Sequence, residues 1–442
     1  MTERHYPDKI EILPLKKQPH ATILVPGSKS IANRALVIGA LSEPLGGTTL
    51  QNFPNCEDTQ IMVQALRDLG FSVDSNWSEG IVQIRRGAHS NRIPAQSANL
   101  LLGNSGTSMR FLAALVCLGK GTYELDGVTR MRDRPIGDLL DALDQLDVRA
   151  RSLHRDGFPP IRIESAHSAF FSANLGQPVI KLKADVSSQF LSGLLMVAPF
   201  ATSPFRIELT TALVSQPYVR MTVELMRLFG ADTRTDFESQ FEVWPVSHYE
   251  SRTLELEPDA TSASYFFAAA AITEGRITVP GIGQRNLQGD ASFLNVLYEM
   301  GCKADREDYV STVAGRRLHG VNVDMNAISD TVMSLAAAAC FADGPTTIRN
   351  VAHIRHKESD RITAMATEIR KVGAEVDEFP DGLRITPRPL HGAEIETYDD
   401  HRIAMSMALI GLKVPGIVIK NPGCVAKTYP GFWDDLEKLR KE

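Results

Sequence analysis

The stretch "VPGSKSIANRAL" (residues 25–36) sets Lys29, a hydroxyl at Ser28 or Ser30, and Arg34 around the start of a helix. Helix N-termini present unpaired backbone N–H groups and a partial positive charge, so cations gathered there point to an anion such as phosphate or carboxylate. Similar starts recur along the chain: Asn104–Thr107, Ser187–Ser188–Gln189, Thr261–Ser262, Asp330 and Asp400–His401–Arg402. Capping accounts for Ser, Thr and Asp at such places. It does not account for Lys29, Arg110 or Arg402. In "GNSGTSMR", Asn104 and Gly106 form a sharp turn whose missing side chains would let an anion approach the N–H groups. "KESDR" adds Lys357, Glu358 and Arg361 ahead of an amphipathic helix, where a solvated basic edge is the ordinary alternative.

The elements that must position these residues repeat. After the opening helix come "GTTLQN", the amphipathic "DTQIMVQALRDLG", and the strand-like "FSVDS" and "GIVQIRRG", in the order helix, strand, helix, strand, strand. Related segments open at "GTSMRFLAALVCLG", "SSQFLSGLLMVAPF", "TSASYFFAAAAI", "SDTVMSLAAAAC" and "DDHRIAMSMALIG", about 70–80 residues apart. The first helix of each unit is small, apolar and almost uncharged after its first turn, so it should be buried all round; the second should face solvent. Buried helices cannot leave their N-termini unsatisfied, so several of them are expected to converge on a shared, wet, anion-binding space.

A chain of 442 residues exceeds one ordinary core, and two domains are expected. The formal net charge of −6 argues against a nucleic-acid or membrane-surface binder and makes local basic clusters more telling. Cys56, Cys117, Cys302, Cys340 and Cys424 are dispersed with no CxxC pair, which reads as reduced thiols and a cytoplasmic protein. The opening residues carry no apolar signal region, and "FLSGLLMVAPFA" is far short of the roughly 20 residues that cross a bilayer. No Walker loop, GxGxxG or HExxH occurs, so no cofactor and no metal are expected.

With "PGSKSIANRAL", "GNSGTSMRFLAAL", "RMRDRPIG", "DVSSQFLSGLL", "VSQPY", "KESDR", "DDHRIAMS" and "AKTYP" in this order, the chain closely resembles the 5-enolpyruvylshikimate-3-phosphate synthases, or 3-phosphoshikimate 1-carboxyvinyltransferases, over nearly its whole length. The resemblance implies an α/β, two-domain enolpyruvyl transferase fold, each domain built from three βαβαββ units with pseudo-threefold symmetry. Residues 25–256 would form the N-terminal domain, mainly on the shikimate 3-phosphate side. Residues 1–24 and 257–442 would form the C-terminal domain, mainly on the phosphoenolpyruvate and acid–base side. Crossover strands would lie near 22–26 and 255–258, and the domains would close on their ligands. The implied reaction moves the carboxyvinyl group of phosphoenolpyruvate to the 5-hydroxyl of shikimate 3-phosphate and releases phosphate, by addition and then elimination. The partners are those two small molecules, with no nucleic acid and no membrane, and the protein is expected to be a monomer.

Matched residue by residue, the resemblance gives Lys29, Ser30 and Arg34 to shikimate 3-phosphate, with Lys29 also reaching phosphoenolpyruvate. Ser187, Ser188 and Ser215 would bind the phosphate and ring side, Gln189 both substrates, and Tyr218 would lie near the ring. Arg134, Arg361, Arg402 and Lys427 would hold phosphoenolpyruvate, with Asn104 and the Gly106 backbone close by. Lys357 and His401 complete the binding set. Proton transfer would fall to Asp330, Glu358 and Lys29, and Arg110 would be a buried supporting charge. Three positions depart from the family's pattern: His353 where Asn is common, Phe111 where Pro is common, and Arg220 where an acidic residue is usual. The nearest alternative is UDP-N-acetylglucosamine enolpyruvyl transferase, but the loop before "RDRP" lacks the cysteine typical of that family. A non-catalytic anion-binding protein on the same scaffold is the other alternative, disfavoured by the joint presence of Asp330, Glu358 and Lys29.

Overall fold

An apolar helix is stabilised when every side is covered, an amphipathic one when a single stripe is, and this chain alternates the two. The computed structural model describes residues 4–43, 47–87, 92–166 and 179–441. Among them the helices run α1 (Lys29–Ala40), α2 (Glu57–Asp68), α3 (Gly106–Leu115), α4 (Gly137–Asp144), α5 (Ser188–Val197), α6 (Gln216–Leu228), α7 (Ala260–Thr273), α8 (Phe293–Glu299), α9 (Val332–Ala339), α10 (Arg361–Lys371), α11 (His401–Gly411) and α12 (Phe432–Lys438). The odd-numbered helices are buried on all sides, from Ile31 to Ala40 in α1 and over all 14 residues of α7. The even-numbered ones bury one stripe, such as Met62, Val63 and Leu66 in α2.

Six small mixed sheets accompany the helices among the described residues. Five share one order, illustrated by Ser97–Leu101 running parallel to Lys120–Asp126, which pairs antiparallel with Ile161–Ala166, itself antiparallel to Arg149–Ser152. In the sixth, Ala393–Ile395 runs parallel to Ile417–Lys420, and Lys9–Ile12 supplies the antiparallel strand from far back in the chain. The order helix, strand, helix, strand, strand therefore appears in five repeats, and the last borrows its outer strand.

Two compact units result: Gly27–Leu256 is one, and the segments on either side of it form the other. The strand Thr253–Glu255 completes the sheet of Thr48–Gln51 in the first unit, and His20–Thr22 completes that of Arg276–Pro280 in the second. The strands end at Thr22 and Glu255, and each is followed by one further bond, from the Ile23 N–H to the Thr278 carbonyl and from the Leu256 N–H to the Gln51 carbonyl. Helices α1, α3 and α5 pack on one another in the first unit, as α7, α9 and α11 do in the second. No helix among the described residues is long and apolar enough to cross a membrane.

Where the chain enters α1, the Ser28 side chain accepts a hydrogen bond from the Ile31 N–H. The preceding residue must be glycine for a steric reason: a Cβ on Gly27 would stand 1.9 Å from the Asn52 carbonyl oxygen. Gly27→Ala should therefore lower stability by about 1–3 kcal/mol, the usual cost of overpacking. Urea unfolding checks this, and an unchanged midpoint would mean that the turn yields freely.

Candidate active site

In the Gly27–Leu256 unit the cations gather around the starts of α1 and α3. Lys29 Nζ lies 2.8 Å from Asp58 Oδ2, a carboxylate at the start of α2 that is itself buried. Arg34, one turn further along α1, is 2% exposed. Its Nε donates to Thr222 Oγ1 (2.7 Å), Nη1 to the Ser30 carbonyl (2.9 Å), and Nη2 to the Tyr218 carbonyl (3.2 Å) and Ser192 Oγ (3.4 Å). One guanidinium thus ties α1 to α5 and α6. No carboxylate pairs with it among the described residues, and burial pushes it down to about 10. Ser215, just ahead of α6, is buried in a left-handed conformation at φ 52°. At the start of α5, Ser187 caps through the Gln189 N–H, while Gln189 Nε2 donates to Thr107 Oγ1 (3.1 Å) on α3.

At the α3 start two arginines lie against the turn. A Cβ on Gly106 would stand 2.3 Å from Arg134 Nη2 and 2.6 Å from Arg110 Nη1. A side chain at 106 would therefore displace both guanidinium groups from the turn. Arg134 donates from Nη1 to the Asn104 carbonyl (2.9 Å) and Oδ1 (3.2 Å). Arg110 donates to the Gly106 and Pro135 carbonyls (3.2 and 2.8 Å), as suits a supporting charge.

In the other unit the centre is Arg361, the first residue of α10 and 2% exposed. It reaches three carboxylates: Asp400 through Nε (2.8 Å), Asp330 through Nη1 (3.1 Å) and Glu358 through Nη2 (2.7 Å). Arg402 adds Nη2 to Asp330 Oδ2 (2.8 Å) and Nη1 to the Tyr265 hydroxyl (3.2 Å). Lys427 Nζ stands 3.8 Å from Glu358 Oε1. Burial favours a neutral Asp330, but Arg402, Lys357 and Arg361 outweigh it and hold the carboxyl well below the usual carboxylate range.

Asp330 is not a helix cap. The N-cap position of α9 is Thr331, and the Asp330 oxygens turn to the two arginines instead. "KESDR" is not a solvated helix face either, since the helix begins only at Arg361 and both Arg361 and Glu358 are buried. Lys357 is half-buried and His401 fully buried at the start of α11. Sequence reasoning missed Asp58 altogether, and placed Asp400 at a helix start without its pairing to Arg361. Both are acidic residues at or next to a helix start, where a capping or dipole role hides a pairing with a cation 29 or 39 residues away. Among the described residues, no group of three His, Cys, Asp or Glu side chains is arranged to hold a metal ion.

Residues 16–436 match the family model for EPSP synthase (3-phosphoshikimate 1-carboxyvinyltransferase). The chain belongs to the EPSP synthase family. It is 46% identical over 427 residues to the 3-phosphoshikimate 1-carboxyvinyltransferase of Nostoc punctiforme, covering 96% of this chain and 98% of that one. It is 42% identical over 439 residues to that of Thiobacillus denitrificans, covering 97% and 99%. Among solved structures, EPSP synthase from Acinetobacter baumannii superposes with a TM-score of 0.79 at 27% identity, covering 98% of both chains. The enolpyruvyl transferase NikO from Streptomyces tendae shares the fold, with a TM-score of 0.76 at 19% identity over 98% of this chain and 96% of that one.

Each of the three positions singled out in the sequence has a definite setting in the structure. Phe111 is buried and offers its ring to Arg34, whose guanidinium carbon lies 5.1 Å from the centroid. Arg220 stacks on Phe237 at 4.1 Å, a surface contact. His353 is buried, and burial together with Lys357 pushes its imidazole down to about 3, so the ring is neutral at pH 7.

The unfolded chain takes up a proton on His353 near 6.5, whereas the folded chain does not until about 3. Between those values the unfolded state binds more protons, so stability falls with falling pH, by about 1.4 kcal/mol per unit at most. His353→Asn should remove that slope. Urea unfolding of both proteins between pH 6.5 and 4.5 checks this: a free-energy gap that stays constant over the range would mean the ring titrates normally.

Proposed function

We propose that this chain carries out the transfer for which its family is named: the carboxyvinyl group of phosphoenolpyruvate moves to the 5-hydroxyl of shikimate 3-phosphate, with release of phosphate, on the route to aromatic amino acids. The observation that carries the reading is Asp330, a carboxylate turned away from capping and held between Arg361 and Arg402 (3.1 and 2.8 Å). In this reading Asp330 accepts the proton of the 5-hydroxyl. Facing protein cations alone it is a weak base, because its charged form is strongly favoured. The phosphate and carboxylate of phosphoenolpyruvate, shared with the same arginines, would weaken that hold and return basicity when both substrates are present.

Shikimate 3-phosphate is assigned to Lys29, Ser30, Arg34, Ser187, Ser188 and Ser215, with Tyr218 beside the ring. A buried Arg34 paired with neutral acceptors alone supports an anionic ligand, since burying a guanidinium without a counter-charge is unfavourable. Phosphoenolpyruvate is assigned to Arg134, Arg361, Arg402 and Lys427, with Gln189 and Lys29 touching both substrates and Lys357 and His401 in support. Glu358, between Arg361 and Lys427, is placed by this reading near the methylene carbon that gains and loses a proton. The reaction is then addition, giving a tetrahedral ketal phosphate, followed by elimination. Fixed donors aimed at the developing charge supply the main stabilisation. The same reading takes the three repeats of each unit as related by an approximate threefold axis, and the protein as a cytoplasmic monomer.

Phosphate release should occur with phosphoenolpyruvate and shikimate 3-phosphate, and should not occur when UDP-N-acetylglucosamine replaces the latter. Turnover of the nucleotide sugar alone would sink the reading. Asp330→Asn should retain binding of shikimate 3-phosphate and slow turnover by about 10²–10⁴, the contribution of a positioned acid–base group. Near-normal turnover in that variant would reduce Asp330 to a structural counter-ion.

A further inference from the structure

Two turns beyond Arg361, helix α10 carries a second buried carboxylate that no step of the transfer uses. Glu368 is fully buried. It accepts from Lys371 Nζ (2.8 and 2.9 Å), from the Glu396 backbone N–H (3.1 Å) and from the Tyr398 hydroxyl (2.7 Å). The last two partners belong to the segment that joins the strand Ala393–Ile395 to α11. Within it, Tyr398 (φ 55°) and Asp399 (φ 54°) are successive left-handed residues, and neither is glycine. L-residues adopt that conformation at a steric cost and keep it only where their surroundings hold them there. Here the holds are the two bonds to Glu368, one from Asn421 Nδ2 to Asp399 Oδ1 (3.1 Å), and one from the Asp400 N–H to the Thr397 carbonyl (2.8 Å). The residue that follows the left-handed pair is Asp400. Its carboxylate receives Arg361 Nε (2.8 Å), Ser359 Oγ (3.0 Å) and the Arg402 N–H (3.0 Å).

We infer that Glu368 and Tyr398 are positioning residues for the anion-binding arginines. Their bond holds the left-handed pair, the pair aims Asp400, and Asp400 sets both the Arg361 guanidinium and the start of α11 from which Arg402 projects. The inference rests on the reading of Arg361 and Arg402 as phosphoenolpyruvate cations. A merely structural Glu368–Tyr398 bond would loosen the fold without favouring one substrate over the other.

Steady-state kinetics of the full chain separates the two. Tyr398→Phe keeps the ring and removes the hydroxyl. It should raise KM for phosphoenolpyruvate about 3–10-fold, because only part of what a hydrogen bond to a charged group contributes is passed on to the arginines. KM for shikimate 3-phosphate should stay within about twofold, since that substrate does not depend on these arginines. Glu368→Gln, whose one oxygen can accept from the Glu396 N–H while its amide NH2 donates to the Tyr398 hydroxyl oxygen, should show a smaller rise than Glu368→Ala. Arg402→Lys is the reference. If it raises KM for phosphoenolpyruvate while folded Tyr398→Phe leaves it unchanged, the positioning role is overturned and the arginine reading stands. If neither moves it, the arginine reading itself has failed. An equal rise for both substrates in Tyr398→Phe also overturns the inference.

Discussion

A helix can bury its sides but not its first turn, where four N–H groups must find acceptors. Among the described residues six helices are committed to burial, three packed together in each unit, and the polar chemistry collects where that demand arises. Ser28, Ser187, Asp259 and Asp400 meet part of it as caps. The cations at the same places serve no capping purpose and add to the positive end of each dipole. The arrangement is therefore costly without an anion, and that cost is the physical basis for reading the helix starts as a binding surface.

The two units manage the cost differently. Around α9, α10 and α11, Lys357, Arg361, Arg402 and Lys427 face Asp330, Glu358 and Asp400, which leaves a surplus of one positive charge within the set. Those carboxylates keep the arginines ionised and oriented, and one of them doubles as the candidate base. Around α1, α3 and α5, Lys29 meets the Asp58 carboxylate, while Arg34 leans on carbonyls and hydroxyls. A neutral cradle orients a guanidinium without neutralising it, so more of its charge is left for a ligand.

Much of this was legible in the sequence because the relevant signals are local. The apolar helices, their amphipathic partners and the polar first turns are each read from a dozen neighbouring residues, and six occurrences made the pattern unmistakable. Lys29, Arg110 and Arg402 stood out because capping had no use for them. What stayed hidden was pairing at a distance. Asp58 and Asp400 look like ordinary helix-start acids until Lys29 and Arg361 are found against them. Gly106 signals close approach in either case, and only coordinates show that guanidinium groups do the approaching. The Glu368–Tyr398 bond spans 30 residues, and a left-handed Tyr–Asp pair leaves no mark in composition.

The borrowed strands have a further consequence for biosynthesis. Gly27–Leu256 is one unbroken stretch whose sheets are complete once Thr253–Glu255 has emerged, so it can fold while the remainder is still being translated. Lys9–Ile12 and His20–Thr22 are made first and paired late: the latter waits for Arg276–Pro280, and the former for Ile417–Lys420 near the end of the chain. For most of synthesis these two strands are unpaired edges next to an already folded body. They are brief, at four and three residues, and Lys9, Glu11 and His20 break their apolar character. Short, charge-interrupted strands are poor templates for pairing with another chain. The segment that waits longest for its partner is thus among the least able to find a wrong one.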